Sequence, residues 1–403
     1  MSPSDTLFKD LIVIEAANVL AGPAVGMFFA ELGATVIKVE NIKTGGDTTR
    51  QWKLPAEDGN SDVSAYFSSV NWGKRSIGVD FSIPAGYEVI VDLVRRADVF
   101  LQSFKPGDAK KFGLDYPALR GVNDRLVYAD ITAFGEEDER PGFDAVLQAE
   151  TGFMGMNGTE ASGPVKMPVA LIDLLLAHQL KEALLIALIA RMQTGRGSYN
   201  TVSLFQSGVA SLANQAANYL VAGSVPGRTG SDHPNIAPYG TVCRTRNGDP
   251  VVLAVGTESQ FQTLCEVLGI PDAAEDARFA TNQQRVVHRE ALNGLLAQRM
   301  AELERDDLLD ELRARKVPAG AVRSLDEVLA QDSVEPLLLQ GKRTDGVPIR
   351  GLRTITFEND AVSPPSSLDA PPAFNADRRF VLADVLGYTE ERIRELQEAR
   401  AVL

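Results

Sequence analysis

The sequence has few of the residues that build disulfide frameworks or metal centres. Its 403 residues include two cysteines, Cys243 and Cys265, and three histidines, His178, His233 and His288. Two cysteines cannot form a disulfide scaffold, and histidines far apart in unlike contexts argue against a histidine metal site. This cysteine content is typical of a reducing compartment. We therefore predict a cytoplasmic protein without a metal ion.

Long apolar segments are also missing. The richest apolar stretch, residues 174–192, is interrupted by His178, Gln179, Lys181 and Glu182. No run approaches the roughly 20 apolar residues that span a bilayer. The amino-terminal residues carry no basic cluster ahead of their apolar stretch, which argues against a signal peptide. We therefore expect no association with membranes.

Positive charge is scarce, with 40 Lys and Arg residues against 54 Asp and Glu residues and a formal net charge of −14. Such a chain repels the phosphate backbone of nucleic acids, so we expect no nucleic-acid partner.

Three sequence motifs are absent as well. Without GxxxxGK[ST], GxSxG or a GxGxxG after the first predicted strand, the sequence is not typical of P-loop ATPases, α/β-hydrolases or dinucleotide-binding enzymes.

Short apolar runs alternate with helical patterns in the first half of the chain. The predicted strands are residues 11–14, 35–39, 76–79, 99–101 and 126–131, and the predicted helices include residues 23–32, 85–96 and 173–192. Strand–helix alternation is typical of an α/β fold with a parallel sheet. The first half is therefore predicted to form such a sheet.

A change of composition marks a second domain. Residues 223–250 are rich in Gly, Pro and Asn, which favours a crossover between two units. A strand at 251–255 and helices at 259–268, 285–303 and 305–315 follow. We predict a large domain from residues 1–220, completed by residues 335–403, and a small inserted domain from residues 221–334.

Asp173 is the most unusual residue of the sequence. It lies between Ile172 and Leu174 in the apolar segment MPVALIDLLLA. A carboxylate is costly to bury unless other groups satisfy it. One interpretation is a helix N-cap, in which the carboxylate accepts backbone N–H bonds. The other is a nucleophile or acid–base group in a dry pocket. The two interpretations are compatible, because a helix start also stabilises an anion.

Two local basic segments are candidates for binding an anionic ligand. Lys74 and Arg75 follow Gly73, and Lys105 lies in a turn after a predicted strand, near Lys111. Loops after strands often carry ligand sites. A solvated charged face is the alternative interpretation for residues 72–75.

An ordered series of segments resembles the class III CoA-transferases, the family that includes the formyl-CoA and carnitine CoA-transferases. The segments are AGPAVGMFFAELGATVIKVE (21–40), NWGKRSIGVDF (71–81), ADVFLQSFKPGDAKKFGLDY (97–116), RLVYADITAFG (125–135), PGFDAVLQAETGFM (141–154), TGRGSYNTVSLFQS (194–207), HPNIAPYG (233–240), RFATNQQRVVHRE (278–290) and VPAGAV (317–322). The specificity of the resemblance comes from their order.

The resemblance implies a role for particular residues. The nucleophile of the family is an aspartate at a helix start, which corresponds to Asp173. The positions that correspond to CoA contacts are Leu20, Ala21, Asn41, Val79, Asp80, Ser103, Phe104, Lys105, Lys111, Phe143 and Asp144. Two of these depart from the family pattern, since Asn41 and Lys111 stand where arginine occurs. Lysine and arginine differ in how they bind phosphate.

The resemblance also implies a fold and an activity. The fold would be a Rossmann-like large domain with a smaller inserted domain, in a ring-shaped chain that forms an interlocked homodimer. The activity would be transfer of CoA from an acyl-CoA to a free carboxylic acid, through an aspartyl-CoA thioester and without a tightly bound cofactor. Small carboxylates or dicarboxylates such as succinate would be the substrates.

Two alternatives stay open at this point. A 2-methylacyl-CoA racemase would share the fold, but racemases that resemble this family carry a histidine base where this sequence has Phe143. Without an imidazole at that position, abstraction of the α-proton lacks its base. The second alternative is a CoA-binding protein without catalysis, against which the context of Asp173 argues.

Overall fold

The computed structural model describes residues 7–359, 365 and 367–403. The strands within these residues are β1 (Ile12–Ala16), β2 (Thr35–Asn41), β3 (Lys74–Val79), β4 (Val99–Gln102), β5 (Val127–Thr132), β6 (Gly158–Thr159), β7 (Gly163–Pro164), β8 (Ser198–Ser203), β9 (Tyr239–Arg244), β10 (Pro250–Ala254), β11 (Ala319–Ala321), β12 (Leu338–Lys342) and β13 (Pro348–Leu352).

The α-helices of the same residues are α1 (Ala21–Glu31), α2 (Ala65–Ser68), α3 (Pro84–Arg96), α4 (Asp108–Lys111), α5 (Tyr116–Val122), α6 (Asp144–Glu150), α7 (Phe153–Met156), α8 (Leu171–Thr194), α9 (Leu204–Ala210), α10 (Ala213–Ala222), α11 (Glu258–Val267), α12 (Asn282–Val287), α13 (Arg289–Met300), α14 (Arg305–Ala314), α15 (Leu325–Leu329) and α16 (Glu390–Glu398). None of these helices combines the length and the apolar character needed to cross a bilayer.

A parallel sheet with the strand order β3-β2-β1-β4-β5-β8 organises the first part of the chain. The chain runs from β1 outward to β3, then returns to the other side of β1 with β4. The order of the strands therefore reverses between β1 and β4. Ligands of open α/β sheets bind beside such a reversal, at the carboxyl ends of the strands. The predicted α/β fold with a parallel sheet is confirmed.

Strand β8 is absent from the sequence-based prediction. Its sequence SYNTVS has no apolar run, and its side chains alternate between half-buried and exposed positions. It forms by pairing with β5, from Val127 opposite Ser198 to Thr132 opposite Ser203. A polar edge strand of this kind is specified by its partner strand rather than by its own hydrophobic pattern.

The chain divides into two compact units. Unit 1 consists of Met1–Thr151, Pro168–Leu212 and Glu335–Leu403, and unit 2 consists of Gly152–Met167 and Ala213–Val334. This division places residues 152–167 and 213–220 in unit 2, whereas the sequence-based boundary assigns both segments to the large domain. One contact that joins residues 152–167 to the rest of unit 2 is the hydrogen bond that the Gly230 N–H donates to the Gly158 carbonyl at 2.8 Å.

Unit 2 has its own core. An antiparallel sheet of β9, β10 and β11 packs with α11, α13 and α14 around buried side chains that include Phe261, Leu264 and Leu312. Both cysteines are free and buried in this core. The predicted helix 285–303 is two helices, α12 and α13, which are separated at His288.

Four charged residues with no exposed side-chain surface form a cluster under the first strands of the sheet. We call Glu15, Lys38, Asp47 and Lys74 the buried ion cluster. The Lys38 Nζ lies 3.0 Å from Glu15 and 2.9 Å from Asp47, and the Lys74 Nζ lies 2.7 Å from Glu15. Buried charges are costly unless they are paired, and here each has a partner.

The buried ion cluster corrects the prediction for residues 72–75. Lys74 is neither a phosphate ligand nor part of a solvated face, because its ammonium is enclosed and binds Glu15, Asn71 and the Pro23 carbonyl. Helix α1 approaches the cluster at Gly26, where a Cβ atom would lie 1.8 Å from a Glu15 oxygen. Glycine at this position is therefore required for the packing of α1.

Candidate active site

Asp173 lies in the first turn of the long helix α8. The helix begins at Leu171, so Asp173 is its third residue, and the N-cap is Ala170, which has no capping side chain. The interpretation of Asp173 as the N-cap is therefore wrong. The nucleophile interpretation stays a prediction.

The start of α8 is capped from another helix, by Asp144 at the beginning of α6. One oxygen of Asp144 accepts the backbone N–H of Ile172 at 2.8 Å. The other oxygen accepts from the side-chain amide of Gln148 at 2.7 Å. Gln148 is buried and also donates to the Val169 carbonyl at 3.2 Å. This arrangement fixes the first turn of α8 while leaving the carboxylate of Asp173 free of the capping role.

The carboxylate of Asp173 is buried without compensation from hydrogen bonds. The residue is 6% exposed, and no group in the described part of the chain donates a hydrogen bond to its side chain. Burial raises the pKa of Asp173 to about 7, and the negative charge of Asp144 adds to this effect. A poorly solvated anion is a stronger nucleophile than a solvated one, which is the property that covalent catalysis requires.

An aromatic wall adjoins this carboxylate. The rings of Trp52 and Tyr66 lie 5.1 Å apart, and those of Trp52 and Phe143 lie 6.4 Å apart. Burial, followed by the charges of Asp173 and Asp144, raises the pKa of Tyr66 to about 12. The Tyr66 hydroxyl therefore stays protonated at neutral pH and is a hydrogen-bond donor.

Sequence reasoning missed Trp52, Tyr66 and Gln148. Trp52 and Tyr66 lie between β2 and β3, in a segment that forms only short helical turns. No periodic pattern marks them as site residues. A usable signal in the sequence was the tryptophan in a polar segment, and the structure leaves this ring 40% exposed. Exposed aromatic residues of this kind are enriched in binding surfaces.

Most of the predicted CoA-contact residues lie at the carboxyl ends of β1 to β4 or in the loops that follow them. Leu20 and Ala21 follow β1, and Asn41 ends β2, where its side chain accepts the Lys43 N–H at 2.9 Å. Ser103 follows β4, and its hydroxyl accepts the Asn18 N–H at 3.1 Å. The loops after β1 and β4 therefore touch at the point where the strand order reverses.

Val79 and Asp80 occupy the end of β3 beneath the last residues of the chain. Val79 is fully buried and pairs with Val402, and the Asp80 N–H donates to the Ala401 carbonyl at 2.8 Å. The Asp80 carboxylate lies 3.0 Å from the Nζ of Lys43. Any contact of Val79 with a ligand would require its backbone, because its side chain faces the core.

We call Phe104 and Lys105, in the loop after β4, together with Lys111 at the end of α4, the basic loop. The Phe104 ring packs against Phe81 at 5.7 Å and against Phe112 at 6.1 Å. Lys105 and Lys111 are exposed. The loop is thus held by its aromatic side chain and presents its cations to solvent, as a phosphate-binding loop requires. Asp144 and Phe143, the remaining predicted contacts, lie at the start of α6 beside α8.

Comparison with known proteins identifies the family. The sequence pattern of CoA-transferase family III matches residues 8–378. The chain is 40% identical over 350 residues to the succinate–glutarate CoA-transferase of Agrobacterium fabrum. The aligned region covers 85% of this chain and 87% of that protein. It is 32% identical over 399 residues to the human succinyl-CoA:glutarate CoA-transferase, which covers 97% of this chain and 88% of that protein.

A solved structure shows the same fold. The CAIB/BAIF family protein of Brucella suis superposes with a TM-score of 0.82 at 39% identity, over 94% of this chain and 99% of that one. The chain therefore belongs to CoA-transferase family III and is an enzyme of this class. The predicted activity, CoA transfer between carboxylates, is confirmed at this level.

Proposed function

We propose that this enzyme moves CoA from an acyl-CoA to a free carboxylic acid through an aspartyl-CoA thioester on Asp173. The observation that carries the proposal is a buried carboxylate whose pKa is raised to about 7, at a helix start held by Asp144. At and above neutral pH a large share of this carboxylate is the anion that the reaction needs.

In the first half-reaction, an Asp173 oxygen attacks the carbonyl carbon of the donor thioester. The carbon–sulfur bond breaks, CoA leaves as the thiolate, and a mixed anhydride remains. The thiolate then attacks the aspartyl carbonyl of this anhydride. That step releases the donor acid as a carboxylate and leaves CoA bound to Asp173 as a thioester. The energy of the thioester bond is retained throughout.

The second half-reaction repeats these steps in reverse order. The carboxylate of the acceptor attacks the aspartyl thioester, and CoA leaves again as the thiolate. The thiolate attacks the acceptor carbonyl of the new anhydride, which yields the acceptor thioester and regenerates the Asp173 carboxylate. No net proton is consumed. The protonated Tyr66 hydroxyl is suited to donate a hydrogen bond to the oxyanions that form in these steps.

The contacts of the site do not favour the racemase. Abstraction of an α-proton needs a titratable base, and Phe143, at the position of the racemase histidine, packs against Trp52 as part of the aromatic wall. A CoA-binding protein without catalysis has no use for an uncompensated buried carboxylate, which lowers stability.

The substrates we propose are succinyl-CoA as donor and a small dicarboxylate as acceptor. The names of the two transferases compared above, which act on succinate or succinyl-CoA and on glutarate, support this choice. Succinyl-CoA and acetyl-CoA should be assayed against a panel of mono- and dicarboxylic acids. Fast transfer from acetyl-CoA and none from succinyl-CoA would contradict the donor assignment.

Trapping the intermediate tests the mechanism. The enzyme is incubated with succinyl-CoA and no acceptor, then treated with borohydride, which reduces the aspartyl thioester to an alcohol, or with hydroxylamine, which converts it to a hydroxamate. Peptide mass analysis should locate the change at Asp173, and only when the donor is present. Donor-dependent labelling of another residue would remove Asp173 from the nucleophile role.

We predict that the basic loop contributes to the binding of acyl-CoA. The variant with both Lys105→Ala and Lys111→Ala should raise KM for the donor several-fold, since each exposed cation–phosphate pair is worth about 0.2–1 kcal/mol. The effect should shrink at 0.5 M salt (about 4 Å Debye length), because exposed charges are screened. Lys9→Ala, at an exposed lysine before β1, is the control. An unchanged KM at low salt would exclude the loop from the site.

We further propose that the chain is ring-shaped and that two copies interlock as a homodimer, as the family resemblance implies. Exposed apolar side chains support an interface. On α8, Ile186 is 67%, Ile189 57% and Met192 85% exposed, at three-residue spacing along one side of the helix. In unit 2, Leu220 and Val221 of α10 are also strongly exposed. Apolar patches of this kind mark sites of association.

Dilution tests the interlocked arrangement. Because two closed rings cannot separate without one chain unthreading, the dimer should persist in sedimentation velocity experiments down to nanomolar concentration. Its loss should coincide with the loss of far-UV circular dichroism in denaturant. A folded monomer that appears on dilution would contradict the interlocked dimer.

Two further predictions stay proposals. We propose that residues 1–220 with 335–403 and residues 221–334 act as a large and a small domain. We also propose that the enzyme works in the cytoplasm, in support of which both cysteines are free.

A further inference from the structure

Val19 has a backbone conformation that its residue type rarely adopts. Its φ is +72°, in the left-handed region that favours glycine. For a β-branched residue this is an outlier, because the branched Cβ crowds the neighbouring backbone. Such conformations persist when the surrounding structure holds them, and they concentrate at functional sites. Val19 directly precedes Leu20 and Ala21, the first predicted CoA contacts.

Asp47 holds this conformation from a distant part of the chain. Both oxygens of its carboxylate accept the Val19 N–H, at 3.3 and 3.2 Å. The same carboxylate accepts the Thr49 N–H at 3.0 Å and the Thr49 hydroxyl at 2.8 Å. It also lies 2.9 Å from the Nζ of Lys38. The carboxylate of Asp47 is therefore held in place by Lys38 and Thr49, independently of its contact with Val19.

The residues around Val19 are held by the same surroundings. The Nζ of Lys38 donates to the Ala17 carbonyl at 2.7 Å, and the Nζ of Lys74 donates to the Pro23 carbonyl at 2.8 Å. The Asn18 N–H donates to the Ser103 hydroxyl. Residues 17–23, which include the loop and the first turn of α1, are thus bound to buried charges on both sides of Val19, and Asp47 supplies the contact at the strained residue itself.

The loop is also close to the proposed nucleophile. Helix α1, which begins at Ala21, packs against α8, which carries Asp173. The charges of Asp173 and Asp47 both act on the hydroxyl of Tyr66, after the larger effect of burial. Asp47 and Asp173 are therefore both within electrostatic reach of the Tyr66 hydroxyl.

We propose that Asp47 is a positioning residue for CoA transfer, which fixes Val19 in the left-handed conformation and thereby sets the backbone of Leu20 and Ala21 for binding the CoA thioester. This inference rests on the proposed function of the site. Asp47 makes no contact with the substrate in this assignment. It affects CoA binding only by fixing the backbone conformation of Val19.

A double substitution tests this coupling. Asp47→Ala should weaken binding of CoA about tenfold in calorimetry and lower Tm. Adding Val19→Gly should bring the Kd back to within about threefold of the wild-type value, because glycine adopts φ near +72° without support. The lowered Tm should remain, because Lys38 still lacks one of its partners. A purely structural role of Asp47 would not produce recovery of affinity without recovery of stability.

Two controls accompany the test. Glu31→Ala removes another fully buried carboxylate, which binds Thr354 and Ile355, and should lower Tm without changing the Kd for CoA. Val19→Pro leaves the four residues of the buried ion cluster in place, but proline cannot take a positive φ and has no N–H for Asp47, so this variant should weaken CoA binding at least tenfold. If Asp47→Ala does not fold, this variant tests the conformation of residue 19 on which the proposal depends.

Three results would overturn the proposal: a wild-type Kd in Asp47→Ala, no recovery on adding Val19→Gly, or a wild-type Kd in Val19→Pro. Each would leave the proposed function standing, provided that the wild-type enzyme binds CoA and transfers it. A wild-type enzyme that binds no CoA would instead remove the proposed function itself, and the role of Asp47 with it.

Discussion

Asp173→Asn is expected to lower the rate of CoA transfer by about 10⁴-fold or more, the size of effect seen when a covalent nucleophile is removed. The amide cannot form the mixed anhydride, although its shape matches the carboxylate. The first turn of α8 should be unchanged, because Asp144 and not Asp173 caps it. Binding of CoA should therefore persist in calorimetry while succinyl-CoA is neither consumed nor trapped on the protein.

The matched control for this variant is Glu182→Gln, which neutralises an exposed carboxylate on the same helix and should retain activity. Asp173→Glu adds a second comparison, since it keeps the charge but displaces the oxygens by one methylene. Transfer by Asp173→Asn within tenfold of the wild-type rate would show that another group is the nucleophile.

The same substitution is expected to stabilise the protein at alkaline pH. The pKa of Asp173 is about 7 in the folded state against 3.8 for an ordinary aspartate, and burial is the main cause. Between these values the folded state binds one proton more than the unfolded state. The free energy of unfolding of the wild type therefore decreases as the pH rises from about 4 to about 7. At 1.36 kcal/mol per pKa unit, the total loss is about 4 kcal/mol.

Asp173→Asn removes this loss because its amide does not titrate. The variant should unfold at the same denaturant concentration as the wild type near pH 4 and at a clearly higher one near pH 8. Asp10→Asn, at an exposed position before β1, should show no such pH-dependent difference. If the difference between Asp173→Asn and the wild type does not change with pH, the carboxylate is better solvated than its burial indicates.

These two predictions together describe a site in which the group that carries out the reaction also lowers the stability of the folded protein. A carboxylate left without hydrogen-bond donors lowers the stability of the folded state, and its retention is explained by its reactivity. The raised pKa also predicts the direction of the pH–rate profile. Transfer should fall as the pH drops below about 7, because the protonated acid is not a nucleophile.

Much of the parallel sheet could be predicted because its strands are buried on both faces. Residues 11–14 and 99–101 form apolar runs that no solvent-exposed loop would carry. Strands β8 and β9 could not be predicted in this way, whereas the predicted strand at 251–255 corresponds to β10 of unit 2. The side chains of β8 and β9 alternate between environments, and only the neighbouring strand determines that they are extended.

The part of the site that could be predicted is the aspartate whose charge conflicts with its apolar neighbours in the sequence. Asp173 stood out because it interrupts an apolar helix, and its position in the family resemblance assigned it a role. The carboxyl ends of β1, β2 and β4 could likewise be expected to carry ligand loops, because parallel strands end at one edge of the sheet.

The sequence by itself determined the α/β class, the parallel sheet and the prominence of Asp173, since these follow from hydrophobic patterns over a few neighbouring residues. Only the tertiary structure decided that Asp144 caps the helix of Asp173, that Lys74 is buried, and that Asp47 holds Val19. Each of these contacts joins residues separated by 28 or more positions. A short segment of sequence predicts that a charged side chain is exposed to solvent. Whether it is exposed or paired depends on which distant charges the strand order brings beside it.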